Sequence, residues 1–318
     1  SCFDCTKSMS KFLKLTRVCV PLSLDCDLSC RYCYRNVGRI PKVPEFNDLM
    51  KEFLAQLDPK RVQALVASGG EPLLHWDKVK ELYSYAPPNI HKKVMTNGLN
   101  LTEEIVDYLN EHDVEVWVSH DGNATKWLRG ADVLKDDYLK SLILKIKNLT
   151  FNACCTARNP DPYKVYEEIK AKIQRKFYFH FSAVFADTFC DYLTEGFVYD
   201  AFQRGSLLCE LEHLDWKNPI PRYGKGMGIN VLPNGDVVGM AEIHHKYGTI
   251  LDSVDSIIQK QIEFGDRTSC TNTSCTIFNF CNKSATPRSN HSRTPHSCEV
   301  LKRRIEIKSA IAGNREDD

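Results

Sequence analysis

The sequence predicts an α/β protein: a partial (β/α)6 TIM-like barrel followed by a smaller C-terminal domain. Three observations carry that expectation. Over the first two thirds, short runs rich in β-branched and aromatic residues alternate with segments of helical periodicity. Four of these runs end in polar motifs containing Gly, Asn or Cys. Near residue 205 the alternation stops, and a hairpin pattern and a second cysteine group follow.

Strand candidates are RVCVPLSL (17–24), VQALVAS (62–68), KKVMTN (92–97), VEVWVS (114–119), LTFNACCT (149–156) and KFYFHFSAVF (176–185). The clearest helix carries Phe46, Leu49, Met50, Phe53, Leu54 and Leu57 as one apolar stripe. Others run near 76–86, 102–111, 135–147 and 161–173, where Val165, Ile169 and Ile173 recur at every fourth position. Six βα units require a parallel sheet with right-handed crossovers, and six strands fall short of the eight that close a barrel. Ligands of such sheets bind at the strands' carboxyl ends. SLDCDLSCRYCYRN (23–36), SGGEP (68–72), TNG (96–98) and SHDG (119–122) all fall there.

Beyond residue 205, GINVLPNGDVVGM (228–240) reads as a hairpin with Asn234-Gly235 in a type I′ turn. A helix with Val254, Ile257, Ile258 and Ile262 on one face follows a candidate cap, Asp252. A last amphipathic helix lies near 299–311. The expected domains are 1–205 and 206–318.

Charge is balanced, 42 Lys plus Arg against 41 Asp plus Glu, so no global field announces nucleic acid or a cationic partner. No apolar run approaches the roughly 20 residues of a membrane span, and the first residues lack a signal-peptide core; the expected location is cytoplasmic, with no membrane partner. Of 14 cysteines, six precede residue 34 and four lie between 270 and 298. In a reducing compartment such clusters point to metal or redox chemistry rather than disulfides.

Cys26, Cys30 and Cys33 supply three thiolates where structural zinc takes four ligands. On a four-iron cluster, three protein thiolates leave one iron open to bind a ligand.

CxxxCxxC with Tyr32 before its last cysteine, followed one βα unit later by Gly69-Gly70-Glu71-Pro72, resembles the radical S-adenosylmethionine superfamily over roughly residues 15–185. The resemblance implies a 4Fe-4S cluster on Cys26, Cys30 and Cys33 whose open iron chelates S-adenosylmethionine. An electron, supplied by an external donor such as flavodoxin or ferredoxin, then cleaves the sulfonium to methionine and a 5′-deoxyadenosyl radical, which abstracts a hydrogen atom from substrate. It also implies that the backbone of Gly69, Gly70, Glu71 and Pro72 meets the methionine amino group, the glycines letting main chain approach a ligand closely. Asn97 joins the cofactor-binding set.

SHDG and the later Arg129-Gly130 resemble the S-x-D-G and Arg-Gly segments of the peptide- and protein-modifying branch. This implies Ser119 on S-adenosylmethionine, Arg129 on its carboxylate and Asp121 in support. His120 departs from the aliphatic residue common there and reads as an exposed or hydrogen-bonded histidine rather than a catalytic one. Strand alternation places Glu115, Trp117, Ser119 and Asp121 opposite Val114, Val116 and Val118, and Tyr178, His180 and Ser182 opposite Phe177, Phe179 and Phe181. Tyr178 and His180 are candidate catalytic residues in a substrate cavity, with Cys190 as a hydrogen-atom donor.

Cys270, Cys275, Cys281 and Cys298 form a complete set for zinc or a second cluster. Behind this core and a PNGDV hairpin they resemble the SPASM and twitch extensions, which implies one auxiliary 4Fe-4S cluster. Met240 and Ala285 stand where the full extension has cysteines, which argues against two; Cys209 is an alternative ligand. The implied substrate is a peptide or protein side chain. A nucleotide or nucleic acid is the alternative, suggested by Lys283, Arg288, Arg293, Lys302, Arg303 and Arg304. A non-catalytic zinc or iron-sulfur scaffold is the alternative of another class.

Overall fold

The computed structural model describes residue 15 and residues 17–33, 48–156, 158–159, 162–183, 228–232, 234–239 and 246–268. In chain order these form β1 (Arg17–Ser23), α1 (Asp48–Ala55), β2 (Ala64–Gly69), α2 (Trp76–Tyr85), β3 (His91–Thr96), α3 (Glu103–Glu111), β4 (Glu115–Ser119) and α4 (Thr125–Arg129). There follow α5 (Asp137–Lys145), β5 (Leu149–Cys155), α6 (Pro162–Ile173), β6 (Tyr178–Ala183), β7 (Gly228–Val231), β8 (Asp236–Gly239), β9 (Lys246–Thr249) and α7 (Val254–Thr268). The six strands expected in the first two thirds are all present, within about two residues of their sequence-derived limits.

The chain divides into two compact units. One comprises Ser1–Asp25, Gly38–Val94 and Pro219–Pro287; the other comprises Cys26–Val37, Met95–Asn218 and Arg288–Asp318. In the first, β1 lies parallel between β2 and β7, with Val18 opposite Leu65 on one side and Ile229 on the other. β3 extends the sheet in parallel beyond β2, and β8 and β9 extend it antiparallel beyond β7. Val18 to Leu22 are buried without alternation, as in a parallel strand covered on both faces. Met50, Phe53, Leu54 and Leu57 bury the α1 stripe, and Val79 and Leu82 that of α2.

In the second unit, β4, β5 and β6 are parallel and in register: Ser119 opposes Asn152, which opposes His180. Val116 and Val118 are buried, while Glu115, Trp117 and Ser119 on the other face are half-buried. Phe177 and Phe179 pack edge-on or tilted against Phe151 and Tyr166. Helix starts follow from side-chain caps: Thr102 accepts from the Ile105 N–H at 3.2 Å before α3, and Asp136 from the Leu139 N–H at 2.9 Å before α5.

Two local expectations are corrected. The hairpin turn closes with the Gly235 N–H on the Leu232 carbonyl at 2.9 Å, and Leu232 pairs with Asp236. With Gly235 at φ +84°, this is a three-residue loop with a bulge at the glycine, not a two-residue turn centred on Asn234-Gly235. The cap of α7 is Ser253, whose hydroxyl accepts from the Ser256 N–H at 3.2 Å. Asp252 is instead occupied by the Thr249 N–H and Lys260. Strand β9 lacks the length to announce itself in sequence, and antiparallel pairing with β8 creates it.

Candidate active site

Within the second unit the cysteine loop is built by local turns and three tethers. Cys33 N–H bonds the Cys30 carbonyl at 3.1 Å, and Cys26 Sγ accepts from the Leu28 N–H at 3.4 Å. Asp27 receives Asn97 Nδ2 at 2.6 Å and Asn100 Nδ2 at 2.7 Å, so the TNG segment after β3 holds the loop. Asn97 Nδ2 also lies 4.0 Å from Cys26 Sγ. Arg31 donates from its backbone to Leu128 and from Nε to the Trp127 carbonyl, which ties the loop to α4.

The third tether runs through Asp121, which is fully buried. Its carboxylate accepts from Tyr32 Oη at 2.5 Å, Arg129 Nε at 2.7 Å, Arg129 Nη2 at 3.2 Å and the Cys154 N–H at 2.8 Å. Four donors on one carboxylate compensate its desolvation. Burial works against the charged Arg129, but Asp121 outweighs it and holds the guanidinium pKa well above its ordinary value. Burial raises the Tyr32 phenol well above its ordinary range and pushes the Cys154 thiol up to about 12. Both groups are therefore neutral near pH 7.

Behind Asp121, His120 is fully buried and donates from Nε2 to Asp132 at 2.8 Å. Its Nδ1 accepts from the Gly122 N–H at 3.1 Å, which assigns the tautomer. Thr125 Oγ1 receives the Asp121 N–H at 2.8 Å and donates to the Gly122 carbonyl at 2.7 Å. Lys172 Nζ stands 3.6 Å from Asp132. His120 is thus a hydrogen-bonded structural histidine that shapes the turn carrying Asp121.

The polar rung Ser119, Asn152, His180 crosses the half-buried sheet face. His180 Nδ1 lies 2.8 Å from Asn152 Oδ1, and its ring is 5.0 Å from that of Trp117. Tyr178 is 48% exposed. Cys190, Cys209, Cys270, Cys275, Cys281 and Cys298 lie outside the described residues, as do the expected boundary at 205 and the basic residues from Lys283 to Arg304.

In the first unit, SGGEP packs against the end of β1. The Gly70 and Glu71 N–H groups bond the Ser23 and Asp25 carbonyls, each at 2.7 Å. A Cβ on Gly69, whose φ is +125°, would meet the Ser23 oxygen at 2.3 Å; one on Gly70 would meet the Asp25 oxygen at 2.0 Å. The close approach that requires glycine is therefore backbone against backbone, immediately before Cys26. Glu71 is buried and caps the following turn at the Leu73 N–H, 3.0 Å away, with Pro72 in its first position.

Cys26, Cys30 and Cys33 supply three thiolates, the donor set that a four-iron cluster takes when one iron is left open. Burial raises the Cys30 thiol, Arg129 opposes it, and Cys33 and Cys26 raise it further, so the three sulfurs share one electrostatic neighbourhood. Cys26, Cys30 and Cys33 are each half-buried, within reach of an incoming group.

Sequence reasoning missed Asp27, Asn100, Thr125, Asp132 and Lys172. Only the Asn97 and Asn100 spacing beyond a strand end offered a signal; the others act through partners remote in sequence.

Residues 20–126 match the family model of the Radical SAM superfamily. An uncharacterized protein of Methanocaldococcus jannaschii is 29% identical over 157 residues, 43% of this chain and 52% of that protein, so the match spans about half the length of this curated relative. Among solved structures, native anSMEcpe with bound AdoMet and Kp18Cys peptide is similar over 95% of this chain and 99% of that chain, with 17% identity and a TM-score of 0.70. Streptococcus suis SuiB bound to precursor peptide SuiA is similar over 87% and 73%, with 14% identity and a TM-score of 0.61.

Proposed function

We propose that this chain, which carries a radical SAM enzyme domain, cleaves S-adenosylmethionine and abstracts a hydrogen atom from a side chain of a peptide or protein. One observation carries the reading: the buried Asp121 carboxylate joins Tyr32 of the cysteine loop to Arg129. When bound, a 4Fe-4S cluster on Cys26, Cys30 and Cys33 and its S-adenosylmethionine supply one-electron cleavage to methionine and a 5′-deoxyadenosyl radical.

The chain's own residues hold and orient. Asp121 takes Nε and one N–H of Nη2 of Arg129, which leaves Nη1 and the second N–H of Nη2 as donors for a carboxylate. Asp27, anchored by Asn97 and Asn100, sets the position of Cys26. An ammonium near SGGEP must be met by acceptors; the Gly70 and Glu71 N–H groups are donors already bonded to the Ser23 and Asp25 carbonyls, and the carbonyls of the segment are acceptors suited to it. Ser119, Asn152 and His180 offer a half-buried polar face for cofactor and substrate, and Tyr178 and Cys190 are assigned to the substrate side.

Peptides bound in the two structural neighbours support a peptide or protein over a nucleotide. A SPASM- or twitch-like extension holding one auxiliary cluster on Cys270, Cys275, Cys281 and Cys298, and an external flavodoxin or ferredoxin, complete the reading. Anaerobic reconstitution with iron and sulfide, then dithionite and S-adenosylmethionine, tests it. Methionine and 5′-deoxyadenosine are expected in equal amounts, with about eight irons per chain. Changing Cys26, Cys30 or Cys33 to Ala should abolish the cleavage. A colourless protein, or one that holds iron and leaves the sulfonium intact, would overturn it.

A further inference from the structure

We infer that Arg31 and Arg158, gathered on Trp127 beside the cysteine loop, form the docking point for the acidic face of a protein electron donor. The inference rests on the function proposed above and names the surface through which the cluster receives its electron.

The guanidinium carbon of Arg31 lies 4.3 Å from the centroid of the Trp127 ring, and that of Arg158 lies 4.4 Å from it. The two charges are therefore no farther apart than those distances combined. Arg31 is held there by its Nε bond to the Trp127 carbonyl at 3.0 Å and its backbone bond to Leu128 at 2.9 Å. Both arginines are exposed, and Trp127 is half-buried. Among the described residues, neither guanidinium pairs with a carboxylate.

Each cation is attracted to the indole, but that attraction leaves the repulsion between the two charges in place. Folding needs one arginine to tie the loop to α4; Arg158 adds charge at the same spot and no tether of its own. An external carboxylate would relieve the repulsion, and two planar forks suit carboxylates.

The position selects the source of that carboxylate. Arg31 follows Cys30 directly and stands two residues before Cys33. An electron bound for the cluster must arrive from outside the chain, and exposed cationic side chains on the ligand loop itself offer an acidic donor a short approach. Complementary charge there would steer encounter and set orientation.

The test uses the full, cluster-loaded protein and an acidic flavodoxin, whose binding is titrated at low and at roughly 0.3 M salt. Arg158→Glu should weaken binding about tenfold at low salt and flatten its salt dependence. Flavodoxin-driven formation of 5′-deoxyadenosine should slow in parallel, while the dithionite-driven rate stays unchanged. Lys126→Glu makes the same charge change at another exposed position, on α4, and should cost less than about twofold. Wild-type binding by Arg158→Glu, or equal losses from both variants, would overturn the docking site. Undiminished flavodoxin binding with weakened binding of a poly-glutamate peptide would assign the arginines to substrate instead. Failure of dithionite-driven cleavage in the wild type would count against the proposed function, and the binding titration would still decide the docking surface.

Discussion

Tyr32 donates a 2.5 Å hydrogen bond to Asp121, 89 residues away in sequence. The bond fastens the residue before the last cysteine of CxxxCxxC to the turn that follows β4. The same carboxylate neutralises Arg129 and accepts the Cys154 N–H, so one buried anion sets the loop, the arginine and the end of β5 together.

Replacing Asp121 by Asn should therefore act far beyond one bond. It leaves Arg129 as a buried cation without its counter-charge, and removing one partner of a buried pair costs about 3 kcal/mol or more. Urea unfolding should show that loss, and iron retained after reconstitution should fall. Unchanged stability and iron content would rule out the hub.

Glycine 70 offers a steric test. Gly70→Ala would drive a methyl group into the Asp25 carbonyl, 2.0 Å away, where the neighbouring atoms are Leu24 and Asp25 backbone that cannot rotate aside as a side chain would. Soluble protein with bound iron should be largely lost. At Gly130, where nothing lies within 4 Å, the same change meets only the left-handed backbone at φ +95° and should cost about 1 kcal/mol in urea unfolding.

Acid should weaken the fold through His120. Burial lowers its pKa from the ordinary 6.5, and Asp132 only partly opposes this. The unfolded chain thus gains the proton first, so stability present above pH 6.5 is lost as the pH falls below it. Burial raises the Asp132 carboxyl, but His120, Lys172 and the Leu134 N–H bring it below its ordinary 3.8, so its contribution is lost only below that pH. Urea midpoints at about pH 7.5 and about pH 5.5 should differ in the wild type and differ less in His120→Gln. An identical slope in both proteins would remove His120 from the account.

Thiol reactivity should follow burial. In the iron-free protein at about pH 8, iodoacetamide should modify the half-buried Cys26 and Cys33 first. Cys19, buried and with its thiol raised to about 11, should react only after unfolding, and Cys154, half-buried but with its thiol raised to about 12, should lag well behind Cys26 and Cys33. Mass spectrometry of peptides over a time course reads the order; labelling of Cys154 as fast as Cys26 and Cys33 would contradict its raised thiol pKa.

The sequence by itself determined the elements and the motifs that end them. The period-2 valines of β4, the α1 stripe from Met50 to Leu57 and the spacing of Cys26, Cys30 and Cys33 are local patterns, and local stereochemistry enforces them. Only the tertiary structure decided the partners: Asp121 on Tyr32, Asp27 on Asn97 and Asn100, His120 on Asp132, two arginines on Trp127, and β7 lying parallel to β1. Side-chain hydrogen bonds and ion pairs are short in range and blind to sequence distance, so which groups meet is set by how the strands and helices pack. The hairpin loop followed the same rule: the strand register placed Leu232 opposite Asp236 and left Gly235 alone with positive φ.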